Sequence, residues 1–399
     1  MTRTTVALAV ASLLLLSACA GAPAAESGDA GCARNHEAGR DYFPDKVSAQ
    51  VSKQWQVEYR QNYKLLKVNA GPKTSLEQTD TAPRSYVLYQ CGTPAPELTG
   101  ELAGATAIRV PVRKAIDNPA TLLGAFEVLA PEVLAGYGEF PGAETADKHL
   151  PRVNKRIMDK TAVGVGHGDK LDTERVLNLG PQVMFAASGD KARFDKLGQG
   201  GVGVVFYDPF NETPLGSAEA VKFLSLFTNG EAKATAHYTA VESRYRELTA
   251  KAGAAAAKPA VLVGINGHGR DFLAPQNDYL EPTLVRDAGG RTVFDLPGKA
   301  LQRLPMETMI ERGASAEFWF RPDFVGKGAT VAKILEGEPR LSRITALTSG
   351  KGIDRADPRV YAAAGLVNPD KLLADLVSVL HPDLLPGHQL SFLRRIEAG

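Results

Sequence analysis

The 399-residue chain is 44% hydrophobic and 23% charged, as globular proteins usually are, and its formal net charge is +1. The balanced charge and the lack of a basic block argue against a nucleic-acid partner. The chain is too long for a single hydrophobic core, so we expect two domains.

The first segment has the layout of a secretory signal. Arg3 precedes an apolar run, Val6 to Leu16, that is too short to span a bilayer, since a membrane helix needs about 20 apolar residues. The letters LSAC that end at Cys19 resemble the bacterial lipobox, in which cleavage precedes the cysteine and its sulfur receives a diacylglycerol. An ordinary signal peptide with one cysteine is the alternative. We expect a signal peptide at 1–18 and a flexible tether at 19–31, poor in large apolar residues.

Two further cysteines remain after Cys19. Cys32 and Cys91 form an even pair in a chain expected to lie in an oxidising compartment, so a disulfide between them is plausible. Free or metal-binding thiols are less favoured, because the two residues lack CxxC spacing.

The next elements combine an early sheet with an α/β pattern. Residues 55–68 and 85–90 alternate apolar and polar side chains, which predicts a short antiparallel hairpin. Apolar runs and helical stretches then alternate, which is typical of buried parallel strands. The predicted strands are 108–112, 161–165, 183–187 and 202–207, and the predicted helices are 119–129, 172–179, 192–197 and 218–227.

A long helical stretch rich in Ala, Glu, Lys and Arg interrupts this alternation at residues 231–252. We interpret it as one rigid helix between two lobes, and a long surface helix within one domain is the alternative. The resulting domain prediction is an N-terminal lobe at 32–230, an interlobe helix at 231–258 and a C-terminal lobe at 259–399.

The second half repeats the alternation of strands and helices. Asn368 and Pro369 have the residue types of a helix start, and leucines and valines follow on one face of a C-terminal helix. The predicted strands are 261–265, 316–320 and 344–347, and the other predicted helices are 279–288, 306–312 and 330–335. The expected fold is α/β, with two Rossmann-like lobes joined by one long rigid helix.

Several long segments carry a family resemblance. NETPLGSAEAVKFLSLFTNGEAKATA, DYLEPTLVRDAGGRTVF, LPMETMIERGASAEFWF and GLVNPDKLLADLVSVLHPDLLPGH resemble the class III substrate-binding proteins of ABC importers. The resemblance implies a cleft between the lobes for a ferric siderophore, haem or corrinoid, with the ferric siderophore favoured. It also implies delivery to an ABC permease and its ATPase, no covalently bound cofactor, and a monomer held by lipid on the extracytoplasmic side of a membrane.

In this family, one glutamate per lobe docks on arginines of the permease. The family pattern matches DTERVLNLGPQVMF, which assigns this role to Glu174, and PMETMIERGASAEF, which assigns it to Glu307. A carboxylate in the first turn of a helix also complements the helix dipole, so each glutamate has a purely structural explanation too.

Candidate ligand contacts lie in loops that follow predicted strands. Arginine and aromatic side chains suit an anionic or planar chelate. One histidine per lobe, His167 and His268, raises the prospect of a haem iron or metal contact across the cleft, although loop histidines without metal are the commoner case. The predicted ligand residues are Asn118, His167, Ser188, Tyr207, Asn266, His268, Arg270, Trp319, Arg321 and Arg355.

Catalytic signatures are absent from the sequence. INGHGRD lacks the GxGxxG order, SGKGID lacks the Ser or Thr of a Walker A motif, and neither HExxH nor GxSxG occurs. We therefore expect a binding protein. An extracytoplasmic enzyme on a related two-lobed fold is the alternative, and tight binding without turnover separates the two. Alanine and serine at 187–188, where cobalamin binders carry an aromatic residue, weaken the cobalamin interpretation.

Overall fold

Two sheet-containing lobes make up most of the chain, which confirms the predicted mixed α/β class. A computed structural model of the chain describes residues 31–69, 83–138, 148–187, 191–266, 271–298, 301–322 and 329–399. The predicted signal peptide, Cys19 and most of the predicted tether lie outside these residues.

The N-terminal sheet is larger than the predicted hairpin. β4 pairs in parallel with β3, whereas β1, β2 and β3 are antiparallel. Residues 108–112 were expected to belong to the α/β alternation, but β4 buries only one face, through Ile108 and Val110, and so suits a sheet edge. The strands are β1 (Trp55–Tyr59), β2 (Tyr63–Val68), β3 (Arg84–Gln90) and β4 (Thr106–Val110).

This sheet packs firmly on the first lobe. The Trp55 ring meets the Phe223 ring edge-on, with centroids 5.8 Å apart. Leu66, Tyr86 and Leu88 face the main hydrophobic core. The extra sheet is therefore part of the body of the protein.

The first lobe contains a five-stranded parallel sheet with the strand order β7-β6-β5-β8-β9. Its strands are short and almost entirely buried, as expected for a sheet covered on both faces. They are β5 (Ala115–Asp117), β6 (Leu134–Tyr137), β7 (Val163–Gly164), β8 (Val183–Ala186) and β9 (Gly203–Phe206), and the accompanying helices are α1 (Leu123–Leu129), α2 (Pro151–Met158), α3 (Thr173–Leu179) and α4 (Lys191–Gln199).

Three helices connect the lobes: α5 (Pro214–Ala218), α6 (Ala220–Thr228) and α7 (Glu231–Gly253). α7 has 23 residues, so it is about 35 Å long. Ala234, Tyr238, Val241 and Tyr245 are buried along one side of it. The long helix is thus packed against the body along its length.

The second lobe is built on a five-stranded sheet with the order β13-β10-β15-β16-β17, in which only β17 is antiparallel to its neighbour. A separate three-stranded sheet has the order β11-β12-β14. The strands are β10 (Ala260–Val263), β11 (Ile265–Asn266), β12 (Asp271–Pro275), β13 (Arg291–Thr292), β14 (Leu301–Pro305), β15 (Phe318–Arg321), β16 (Gly352–Arg355) and β17 (Leu393–Arg395).

The helices of this lobe are α8 (Leu280–Asp287), α9 (Met306–Gly313), α10 (Val331–Gly337), α11 (Thr345–Thr348), α12 (Pro358–Val360) and α13 (Pro369–Leu380). Residues 344–347 were predicted as a strand, but α11 occupies this region and β16 takes the place beside β15. An apolar run this short does not distinguish helical from strand periodicity.

The lobes meet directly at Gly124 in α1. A Cβ atom there would lie 2.4 Å from the Ala363 carbonyl oxygen and 2.6 Å from Val367 Cγ2. Glycine is therefore required for the close approach of α1 to the second lobe.

We expect Gly124→Val to lower the free energy of unfolding by about 1 to 3 kcal/mol, because the added methyl groups overpack the lobe contact. Small-angle scattering on the folded variant should show a larger radius of gyration if the lobes separate. Gly253→Ala is the control, since a Cβ at Gly253 meets nothing within 4 Å. Equal stability of the two variants would contradict this role for Gly124.

Candidate functional site: the cleft between the lobes

The carboxyl ends of the parallel strands define one edge of each lobe. In open α/β sheets, ligands bind beside this edge. The loop after β9 reaches the second lobe: the Phe210 ring centroid lies 6.4 Å from that of Tyr279, and 5.2 Å from Cζ of Arg355, the last residue of β16. The loops at the carboxyl edges of the two sheets are therefore in contact, and we take the region between these edges, called the cleft below, as the candidate site.

Asn118 and His167 lie together on the first-lobe side of the cleft. Asn118 directly follows β5, is buried, and donates from Nδ2 to the Gly166 carbonyl oxygen at 2.8 Å. His167 follows β7, is exposed, and has Nδ1 3.3 Å from the Asn118 carbonyl oxygen. A neutral ring that donates from Nδ1 leaves Nε2 as its acceptor nitrogen, and this is how metal-binding imidazoles are commonly oriented.

The strand ends in this part of the cleft approach closely. A Cβ atom at Gly138, which follows β6, would lie 1.8 Å from the Asn118 carbonyl oxygen. Ala120 has a φ of 59°, a conformation that is costly for a residue other than glycine. The backbone after β5 is therefore held in a strained and crowded form at the cleft.

Two acidic residues at these strand ends were missed by the sequence analysis. Asp117 is fully buried, and its Oδ2 accepts a hydrogen bond from the Leu122 amide at 2.8 Å, while Oδ1 has no hydrogen-bond partner among the described residues. Burial raises its pKa to about 8. Half-buried Asp208 accepts from the Phe210 amide at 3.0 Å, and loss of hydration raises its pKa to about 6. Their position in the sequence could have identified them, because Asp117 ends β5 and Asp208 closely follows β9.

We expect stability to fall as pH rises because of Asp117. Its folded-state pKa lies above its ordinary value of 3.8, so the folded protein retains a proton that the unfolded chain releases between these two values. Relative to Asp117→Asn, the wild type should lose on the order of 2 kcal/mol of unfolding free energy between about pH 6 and pH 8. Urea unfolding at both pH values measures this.

Asp45→Asn, at an exposed position, is the control and should follow the wild type at every pH. A difference between Asp117→Asn and the wild type that stays constant with pH would show that the Asp117 carboxyl ionises normally.

Tyr207 and Trp319 are placed in the core. The Tyr207 ring stacks on Phe223 with centroids 4.0 Å apart, and burial raises the pKa of its hydroxyl well above the usual value. Trp319 is fully buried and donates from Nε1 to the Gly264 carbonyl oxygen at 3.0 Å. These contacts stabilise the ends of strands in each lobe. That Tyr207 and Trp319 contact a ligand stays a prediction.

Arg321 and Arg355 end the adjacent strands β15 and β16. Arg321 has NH1 3.6 Å from Asp354 Oδ2, and Arg355 donates from NH2 to Glu281 Oε1 at 2.7 Å. All four side chains are at most 10% exposed. Both cations at this edge are therefore compensated by buried carboxylates.

The two predicted docking glutamates are exposed. Glu174 is the second residue of α3 and pairs with Lys196 at 2.5 Å, and Glu307 is the second residue of α9 and pairs with Arg340 at 2.5 Å. Their side chains are 72% and 73% exposed, so both are accessible to a large partner.

Other predicted residues are placed as follows. Cys32 and Cys91 form a disulfide, with Cα atoms 4.8 Å apart. Asn266 is the last residue of β11, and Ser188, His268 and Arg270 lie outside the described residues.

Within the described ranges, no group of three or more His, Cys, Asp or Glu side chains is arranged to hold a metal ion. None of the described helices combines the length and apolarity needed to cross a bilayer.

Similarity to known proteins agrees with this geometry. A family profile described as periplasmic binding protein matches residues 132–355. The uncharacterized lipoprotein MJ0878 of Methanocaldococcus jannaschii is 24% identical over 323 residues, which cover 78% of this chain and 76% of that protein.

Two solved structures share the fold. A periplasmic heme binding protein from Pseudomonas aeruginosa superimposes with a TM-score of 0.58 at 19% identity, covering 72% of this chain and 98% of that one. The periplasmic heme binding protein HutB of Vibrio cholerae gives a TM-score of 0.53 at 18% identity, covering 68% and 100%. Because the family profile spans more than half of the chain, this protein belongs to the periplasmic binding protein family, a family of binding proteins and not of enzymes, as its class III resemblance predicted.

Proposed function

We propose that this protein is a lipid-anchored substrate-binding protein that captures an iron chelate in the cleft and delivers it to an ABC permease. The observation that carries the proposal is the pair of carboxyl edges, joined by the Phe210 contact to Arg355 and Tyr279. Such an edge is where α/β lobes bind ligands. The lipid on Cys19 would keep the body beside its importer.

Two chelates are favoured by different observations. Arginine and aromatic residues near the cleft favoured a ferric siderophore, but Arg321 and Arg355 are already paired with carboxylates. His167 is exposed and its Nδ1 lies near a carbonyl oxygen, which suits a histidine that coordinates the iron of haem through Nε2. Two proteins of the same fold are described as heme binding proteins. Haem is therefore the second candidate.

Fluorescence titration separates these candidates. The chain has two tryptophans, Trp55 and Trp319, both fully buried, so energy transfer to a coloured chelate in the cleft quenches a well-defined signal. Residues 20–399 are titrated with haemin, ferric catecholate and hydroxamate siderophores, and cobalamin. Saturation at one equivalent by an iron chelate supports the proposal, and saturation by none of them contradicts it.

The His167→Ala variant tests the haem candidate. We expect haemin bound to the wild type to show a shifted Soret band that His167→Ala loses, with at least a tenfold weaker affinity, since a metal–ligand bond is removed. His36→Ala, an exposed histidine in the N-terminal segment, is the control and should bind as the wild type does. An unchanged Soret band in His167→Ala would exclude His167 as an iron ligand.

Permease docking is proposed to use Glu174 and Glu307. Their exposure and their equivalent positions in α3 and α9 support this role. Charge reversal at both positions should abolish chelate uptake into cells while leaving chelate affinity in solution unchanged.

A further inference from the structure

A cavity of about 430 Å³ is lined mainly by residues near the start of the described chain, between Gly31 and Tyr42. Its wall is formed by the N-terminal segment, through Arg34, Glu37, Arg40 and Tyr42. Its floor includes Gln90, at the end of β3, and Asn229, between α6 and α7. None of these residues takes part in the proposed cleft.

The wall of this cavity is held in place at both ends. The Cys32–Cys91 disulfide and the hydrogen bond from the Ala33 amide to the Cys91 carbonyl oxygen, at 2.9 Å, attach it to the end of β3. The Tyr42 amide donates to the Gln61 carbonyl oxygen at 2.8 Å. The Tyr42 hydroxyl accepts from the Glu37 amide at 2.8 Å, which shapes the loop between these attachments. The disulfide and these hydrogen bonds therefore fix the shape of the cavity wall.

The floor is neutral and its amides are occupied. Gln90 donates from Nε2 to the Gly31 carbonyl oxygen at 2.6 Å and accepts at Oε1 from Asn229 Nδ2 at 2.8 Å. Asn229 Oδ1 in turn accepts from Lys64 Nζ at 2.9 Å. The donors available to a ligand therefore come from the wall.

The charged donors of the wall are guanidinium groups, and Asn35 adds a side-chain amide. Arg34 makes no hydrogen bond or ion pair with the described residues. Arg40 stacks over the Tyr42 ring at 5.3 Å and has one nitrogen 3.2 Å from Glu37 Oε1. Glu37 offsets one charge and an exposed ion pair is weak, so the cavity keeps a net positive charge.

We infer that this cavity binds a phosphate group. Arginine presents paired N–H donors that match phosphate oxygens, and Arg34 and Arg40 line one concave wall. The position suggests the source, because Gly31 borders the cavity and follows Cys19 closely in sequence. If Cys19 is lipidated, as the proposed function requires, the cavity lies within reach of phospholipid headgroups.

The test uses residues 20–399, which retain every described residue and the whole described core. Sedimentation with vesicles of phosphatidylcholine alone, or mixed with phosphatidylglycerol, measures headgroup binding at constant ionic strength. Inorganic phosphate, titrated by calorimetry, measures binding of the free anion. Arg246→Gln, in α7, is the control because Arg246 is an exposed arginine with one carboxylate partner, as Arg40 is.

We expect binding to the anionic vesicles to fall about 5-fold for Arg34→Gln or Arg40→Gln and about 30-fold for both together. Glu37→Gln should tighten binding, because it removes the negative charge from the wall. Binding of inorganic phosphate without vesicle binding, lost in the same variants, identifies the free anion as the ligand.

The inference is overturned if neither phosphate source binds, or if the double variant binds as Arg246→Gln does. These assays contain no chelate, so they remain readable if the chelate titration fails. Conversely, the arginine variants should bind the chelate normally.

Discussion

Glu231→Gln is expected to lower the free energy of unfolding by about 3 to 5 kcal/mol, because it leaves a buried ammonium group without its counter-charge. The Lys64 side chain is 0% exposed and that of Glu231 4%, and Nζ lies 2.5 Å from Oε1. Nζ also donates to the Leu226 carbonyl oxygen at 2.7 Å. This pair joins β2 of the N-terminal sheet to the first residue of α7.

Burial explains why the pair is sensitive. Desolvation lowers the pKa of the Lys64 ammonium, and the neighbouring Glu231 carboxylate opposes that effect. Without this carboxylate, the ammonium either stays charged in a buried site with only neutral acceptors or loses its proton, and both alternatives cost free energy. The loss appears as a lower urea midpoint with an unchanged slope.

A double-mutant cycle is the appropriate measurement. Lys64→Met should cost as much as Glu231→Gln, whereas Lys64→Met combined with Glu231→Gln should recover part of the loss, because no unpaired buried charge remains. The Lys67–Glu58 pair is the control: its side chains are 46% and 44% exposed, so Glu58→Gln should cost under about 1 kcal/mol. Similar losses for Glu231→Gln and Glu58→Gln would show that the buried Lys64–Glu231 pair is no more important for stability than an exposed pair.

Asp375→Ala is expected to destabilise the protein by about 3 to 5 kcal/mol, because three backbone amides lose a charged acceptor. Asp375 lies in α13, and its side chain is fully buried. Its Oδ2 accepts from the amides of Ser391, Phe392 and Leu393 at 2.9, 2.7 and 3.0 Å. His388 Nε2 lies 2.7 Å from Oδ1.

The consequence reaches the cleft through β17. This strand begins at Leu393 and pairs with β16, whose last residue is Arg355. We therefore expect Asp375→Ala to expose the C-terminal segment to limited proteolysis and to weaken chelate binding. Asp383→Asn, at an exposed position nearby in sequence, should be neutral. Wild-type protease resistance in Asp375→Ala would show that other contacts hold the segment.

The charge balance at the second-lobe edge bears on which ligand fits. Arg321 and Arg355 were predicted to contact an anionic or planar chelate, yet each is paired with a buried carboxylate. Breaking such a pair to bind a ligand costs several kcal/mol. A ligand that uses His167 and the shape of the cleft avoids this cost, so the haem titration is the most informative comparison.

Periodicity and spacing in the sequence were enough to predict the α/β class, the two lobes and most helices, because these depend on local patterns of apolar residues. The stretch that forms α7 and the Asn368-Pro369 start of α13 are examples. Family segments also singled out Glu174 and Glu307, whose side chains are exposed, and their docking role stays a prediction.

Tertiary structure alone decided the partners of buried charges. Nothing in the sequence indicates that Lys64 meets Glu231, that Asp375 holds the C-terminal segment, or that Arg355 meets Glu281, because each contact joins residues distant in the chain. The sequence also did not indicate that β4 belongs to the N-terminal sheet, or that burial raises the pKa of Asp117. Local sequence determines which elements form, whereas desolvation and charge pairing depend on how those elements pack.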